Sequence, residues 1–206
     1  MAKHTKQAIL DAAQVLFAEQ GFNQTSMRTI TALASVNLAS VNYHFGSKKN
    51  LIQAVFKRYF DSLMPAIDRV LEPLEPQQGA AGLHAMLNQL IPPFLALNQV
   101  SENGTAIFVQ LLGRGYSETQ GHLRRFIMND YGKTIRKLVA TIGQCLPHLS
   151  NEVVFWRLHF AMGSFVFSMA SSQALAEIAA SDFHKQVEIE DVIRQLVPFV
   201  SEGMAG

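Results

Sequence analysis

The sequence predicts an all-α protein, a small N-terminal unit followed by a larger helical bundle, and three observations predict it. Apolar residues recur at helical spacing through most of the 206 residues. Strand-like alternation is nowhere sustained, and the Asn-Gly hairpin signal is confined to Asn103-Gly104. Pro73, Pro76, Gly79 and Gly82 crowd into one segment, 72–82, and break the pattern there.

The first helix reads as 5–20, with Ile9, Ala12, Ala13, Leu16 and Phe17 on one apolar face. Gly21 supplies a left-handed stop, and Phe22 can pack back on Phe17. A second, short helix follows a cap at Thr25 or Ser26 and is expected to bury Met27, Ile30 and Leu33. A third starts at Asn37 and ends near Phe45-Gly46. At 100° per residue, Leu38, Val41 and Phe45 share its inner side. The fourth starts at Ser47 and carries Leu51, Ile52, Val55, Phe56, Tyr59 and Leu63 down one side. Beyond the break, helical stretches are expected at about 83–99, 105–113, 118–145, 150–178 and 187–200. Pro92-Pro93 should kink or split the first of these, and Gly113-Arg114-Gly115 and Pro147 mark turns. The expected domains are 1–50, with a connecting helix at about 47–70, and 71–206.

Composition removes several function classes. At 49% hydrophobic and 16% charged the chain is globular. Its single cysteine, Cys145, permits no intrachain disulfide, which suits a reducing cytoplasm. The start MAKHTKQ lacks a signal peptide's apolar run, and the longest apolar stretch, 158–170, is short for a membrane span. No membrane partner is expected. The seven histidines show no metal-ligand spacing on one helix, there is no Gly-x-Ser-x-Gly elbow, and no strand precedes Gly113-Arg114-Gly115. Neither an enzyme nor a bound cofactor is expected.

The net charge is only +1, but it is unevenly spread. Residues 1–60 hold Lys3, Lys6, Arg28, Lys48, Lys49, Lys57 and Arg58 against Asp11 and Glu19, while acids outnumber bases in the rest. A basic end suggests a polyanion partner. Two short helices joined by Ser35-Val36-Asn37 have the spacing of a helix-turn-helix. The outer face of the second carries Ala39, Ser40, Tyr43 and His44, with Asn42 on its flank. These small and hydrogen-bonding side chains suit entry into a major groove. Lys48 and Lys49 occupy the first turn of the fourth helix, where the dipole disfavours cations. A docked phosphate would reverse that penalty.

The run Ile9-Leu-Asp-Ala-Ala, Leu16-Phe-Ala-Glu-Gln-Gly-Phe22, Thr25-Ser-Met-Arg-Thr-Ile30, Asn42-Tyr-His-Phe-Gly-Ser-Lys48 and Leu51 resembles the TetR-family DNA-binding domain over about residues 5–60. It departs at Ser35, where the family usually has Gly, at Asn37, where Ser is common, and at Asn42, where an aromatic is common. The resemblance implies a homodimer on a palindromic double-stranded DNA operator. Ala39, Ser40 and Tyr43 would approach bases or backbone, and Arg28, Tyr43, His44 and Lys48 would hold phosphates. Asn37 and Asn42 are counted on the same surface. The Asn42–Lys49 run, with Val36-Asn-Leu-Ala before it, looks most like the PsrA-type fatty-acid-responsive members.

In the second part, Phe94, Phe108, Leu111, Phe126, Trp156, Phe160 and Met169 are ordinary core residues that could equally line an apolar cavity. The resemblance implies a small apolar effector there, a long-chain fatty acid or acyl-CoA, or alternatively an aromatic, drug-like compound. Arg114, Arg124, Arg125, Arg157 or His159 could meet a carboxylate. Coupling to DNA is expected through the fourth helix. Ala161, Ser164, Ser168 and Ser171 form a small-residue stripe that permits close helix approach. Val192 and Leu196 belong to a broad apolar face on the last helix. By the resemblance, this pair of helices forms the dimer interface.

Overall fold

The structure is a computed structural model that describes residues 2–118 and 121–206. The described residues form helices α1 (Ala2–Gln20), α2 (Met27–Leu33), α3 (Leu38–Phe45), α4 (Lys48–Leu71), α5 (Gly79–Leu95), α6 (Gly104–Ser117), α7 (Gly121–Cys145), α8 (Asn151–Ala170), α9 (Ser172–Phe183) and α10 (Ile189–Ala205). A 3₁₀ turn, Ala96–Gln99, follows α5, and no strand occurs among the described residues.

Packing divides the chain into two compact units, Met1–Leu63 with Leu97–Tyr131, and Met64–Ala96 with Gly132–Gly206. This differs from a boundary near residue 71, because α6 lies along α1 and joins the N-terminal helices.

In the first unit Ile9, Ala13 and Phe17 are buried on α1, and Phe22 turns back onto Phe17 with ring centroids 5.5 Å apart. Gly21 between them sits at φ +84°, the left-handed stop its position predicted. Ser26 caps α2 by accepting from Thr29 N at 3.0 Å, and Asn37 caps α3 by accepting from Ser40 N at 2.8 Å. Thr25, the other candidate cap, is buried and donates to Leu16 O and Gly21 O. Phe108 packs against Tyr59 and Phe60, with centroids 5.4 and 5.3 Å away, so α6 completes this core. Gly113 and Gly115 lie inside α6 and make no turn.

In the second unit α5 and α8 both pack on α10. Thr134 donates to Asp68 Oδ2 at 2.7 Å and ties the α7 part of this unit to its α4 part. Pro92 and Pro93 stay inside α5, which passes into the 3₁₀ turn only after Leu95. The stretch expected as one helix over 150–178 breaks at Ser171, which closes α8. By length and composition alone, Gly79–Gln99 and Asn151–Ala170 are apolar enough to cross a membrane, with mean hydropathies of 1.2 and 1.4.

Candidate nucleic-acid interface and effector cavity

The α2–α3 pair stands on a core made by Ile30, Val41 and Phe45, all buried. What α3 leaves outside follows from its period. Tyr43 is 84% exposed, and Ala39 and Asn42 are exposed beside it. Ser40 and His44 are half-buried, and the His44 ring meets the Tyr43 ring edge-on at 5.1 Å. Asn37 Oδ1 accepts from Ser40 N at 2.8 Å and from Ser40 Oγ at 2.9 Å, so both residues hold the start of α3 as well as flanking its outer face. Arg28 is exposed on α2. Lys48 is half-buried and donates to Asn23 O at 3.4 Å, which places it over the α1–α2 turn.

Two leucines read as core residues are not buried. Leu33 is 56% exposed and Leu38 is 41% exposed. Ile30, Val41 and Phe45 fill the core, and Leu38, as the first residue of α3, extends beyond it.

The α1–α2 turn is held by the end of α6. Arg114 Nε donates to Ala18 O at 3.3 Å and Arg114 Nη2 to Glu19 O at 2.7 Å. Glu118 accepts from Phe22 N at 2.9 Å and from Asn23 N at 2.8 Å. Arg114 therefore occupies the C-terminal carbonyls of α1, a use of its guanidinium that excludes the effector-clamp role expected for it. The sequence signal was an Arg and a Glu four apart at a helix end. Nothing in the sequence tells which backbone they reach.

In the second unit α5, α7, α8 and α10 line a half-open cavity of about 190 Å³. Leu90, Ile91 and Phe94 line it from α5, Leu138 and Ile142 from α7, Ala161 and Phe165 from α8, and Leu196 and Val200 from α10. Its lining carries no charged side chain. Of the residues expected there, Phe94 alone is part of the wall. Phe108 and Leu111 are buried in the other unit, Phe126 packs edge-on against Tyr131 there, and Met169 is buried off the cavity. Trp156 and Phe160 face outward, at 52% and 66% exposure. Arg157 donates to Met204 O at 2.8 Å and ties α8 to the end of α10.

The expected dimer stripe is also redistributed. Ala161 and Leu196 line the cavity, Ser164 donates back to Phe160 O, and Ser171 caps α8. Ser168 and Val192 are half-buried. The outward line on α8 is instead Trp156, Phe160, Gly163 and Phe167, spaced i, i+4, i+7, i+11. Small residues were read as the close-approach surface because spacing alone does not say which face is turned inward.

Residues 9–55 match the family model of bacterial regulatory proteins of the tetR family, and residues 88–203 match the tetracyclin repressor-like C-terminal domain. The chain belongs to the TetR family. Relatives extend the match along the chain. The regulator UidR of Escherichia coli K12 is 25% identical over 199 residues, covering 95% of this chain and 92% of that one. The nicotine-responsive repressor HdnoR of Paenarthrobacter nicotinovorans is 29% identical over 136 residues, 66% of this chain and 67% of its own. A TetR-family regulator structure from Bordetella parapertussis superposes with a TM-score of 0.63 at 15% identity, covering 95% and 93% of the two chains. The protein is therefore a TetR-type transcriptional regulator with a helix-turn-helix head.

Proposed function

We propose that the protein is a cytoplasmic repressor that binds a palindromic operator as a homodimer and leaves it when an apolar effector fills the α5–α7–α8–α10 cavity. The observation that carries this reading is the pairing of a polar, outward α3 face with a separate cavity whose wall is apolar throughout. On DNA, Ala39, Ser40, Asn42 and Tyr43 would read the groove, while Arg28, His44 and Lys48 would hold phosphates. The Trp156–Phe160–Phe167 face of α8 suits burial against a second copy, since a line of exposed aromatics of this size marks an interaction surface.

The effector proposed is a long-chain acyl group, as a free fatty acid or acyl-CoA. Its tail matches the apolar lining, and its polar head must stay outside, because the wall offers no cation. The volume favours a second reading. A cavity of about 190 Å³ is below the roughly 300–1,000 Å³ of drug-sized sites. It holds a compact aromatic as it stands, whereas a full acyl chain exceeds that volume.

Fluorescence anisotropy of the protein on its promoter DNA, titrated with oleate, oleoyl-CoA and naphthalene, tests the reading. Release by either lipid, but not by a detergent of equal chain length, supports the acyl reading. Release by naphthalene alone moves the assignment to compact aromatics. No release by any of them removes the cavity as an effector site.

A further inference from the structure

We propose that Arg114 and Glu118 are positioning residues for DNA recognition, a bracket on α6 that fixes the orientation of the α2–α3 reading pair by gripping the α1–α2 turn. Four hydrogen bonds run from one turn of α6 to four backbone atoms in sequence: Ala18 O, Glu19 O, Phe22 N and Asn23 N. The charges match their targets. A cation meets the carbonyls at the C-terminus of α1, and a carboxylate meets the two amides that follow. Because all four targets are backbone atoms, the bracket fixes the path of the chain entering α2, whatever the side chains there.

Two features fit this grip. Glu118 caps the C-terminal end of α6, where the helix dipole disfavours an anion. The amides of Phe22 and Asn23 supply the compensation. Gly21 lies at φ +84°, and a Cβ there would stand 2.4 Å from Glu118 Oε1, so the turn is shaped to admit the carboxylate. On the other side Lys48 Nζ donates to Asn23 O, so the turn is also held from α4.

The bracket also joins parts that the family models treat separately, since α1 and α2 fall in 9–55 and α6 falls in 88–203. Within the first unit the turn ahead of the reading pair is thus tied to α6 through side-chain-to-backbone hydrogen bonds, a route distinct from the α4 connection that the sequence suggested. Any change at the end of α6 is delivered directly to the turn ahead of α2.

The inference rests on the dimer reading above, because head orientation matters only when two heads must meet fixed half-sites. The test therefore uses half-site spacing. An operator is selected from random duplexes with the full-length protein, and a second duplex carries one base pair inserted between its half-sites. Affinities are measured for wild type, Glu118→Ala, Glu118→Gln and, as a control in the other unit, Thr134→Val. Wild type is expected to lose about tenfold or more on the insertion, the scale of one lost charge-assisted contact. Glu118→Ala should bind the native operator about tenfold more weakly and discriminate the insertion by no more than about threefold. Its affinity for random DNA and its salt slope should be those of wild type, since the phosphate contacts are untouched. Glu118→Gln, which keeps an acceptor oxygen, should fall between, and serves if the alanine variant does not fold. Thr134→Val should keep full discrimination. Retained discrimination in Glu118→Ala, or in Glu118→Gln where that is the variant available, would overturn the bracket alone. Indifference of the wild type to spacing would overturn the dimer reading and the bracket with it.

Discussion

The Tyr131 hydroxyl donates a 2.7 Å hydrogen bond to Asp61 Oδ1, an oxygen that also receives Lys57 Nζ at 2.9 Å. Burial first, then this bond and the charge of Asp61, push the phenol above its usual range. Tyr59, which donates to Gln14 Oε1 at 2.8 Å, is raised by burial as well. A phenol whose folded pKa lies above its unfolded value favours the neutral form. That stabilisation is complete below about pH 10 and is lost as pH rises through the folded value. We expect stability to fall above about pH 10. Tyr131→Phe keeps the ring against Phe60, 5.0 Å away, costs about 1 kcal/mol at neutral pH and flattens the alkaline fall. Urea unfolding across about pH 8–12 checks this. An equally steep fall in the variant would place the titrating group elsewhere.

Ser35 holds φ +53° in the turn between α2 and α3, a conformation that costs a residue with a Cβ roughly 1–2 kcal/mol. Glycine removes that strain and returns some of it as extra unfolded-state entropy. Ser35→Gly is therefore expected to stabilise by about 0.5–1 kcal/mol, a rise of about 2 °C in Tm for a chain of this length. Ser35→Ala keeps the Cβ and should show no gain. Equal Tm values for the glycine and alanine variants would mean that the turn is not strained.

The helical class and the caps of α2 and α3 were legible because they rest on local chemistry: Asn37 and Ser26 accept from amides three residues on, and Gly21 takes the left-handed turn. The family was legible for the same reason, since its motif lies in one continuous stretch. Burial was less legible. Leu38 has the phase of a core residue but stands in the first turn of α3, beyond the reach of Val41 and Phe45. The cavity was missed except for Phe94, because aromatic content alone does not separate Phe165, which lines it, from Phe160, which is exposed on the same helix. The contacts of Arg114 and Glu118 join residues 95 or 96 apart, and no periodicity encodes such pairs.

Leu38 is an apolar side chain left outside on α3, the helix proposed to read the groove, and the apolar feature of a major groove is the thymine methyl group. Replacing single thymines of the operator by uracil removes that methyl and nothing else. One such position per half-site is expected to weaken wild-type binding about fourfold, the worth of a buried methyl. Leu38→Ala should bind more weakly and lose the difference between the two bases at that position. A uniform uracil response in wild type and variant would assign the methyl contact to another residue, Ala39 first.

Lys48 lies in the first turn of α4 with its ammonium over the α1–α2 turn, where it adds to the positive end of the helix. If it neutralises a phosphate, Lys48→Ala lowers affinity by a similar factor on operator and random DNA. It also reduces the slope of log affinity against log salt by about one per protomer. Filter binding at several salt concentrations measures both. An unchanged slope with weaker operator binding would restrict Lys48 to supporting the turn through Asn23.

Ala161 lines the cavity from α8, on the side opposite the exposed Phe160 face. Ala161→Phe places a ring in the cavity, at a packing cost of about 1–3 kcal/mol that circular dichroism and Tm will register. Operator binding without effector should equal that of wild type or fall below it, since a ring that fills the cavity acts in the same direction as an effector. The effector concentration that releases DNA should rise about tenfold or more, since the same space cannot be filled twice. Tryptophan fluorescence is a second readout: Trp156 is on α8 but outside the wall, so an effector quenching it without shifting between wild type and Ala161→Phe must bind elsewhere. Release at the wild-type concentration by the variant would remove the cavity from the switching mechanism and leave the DNA-binding assignment intact.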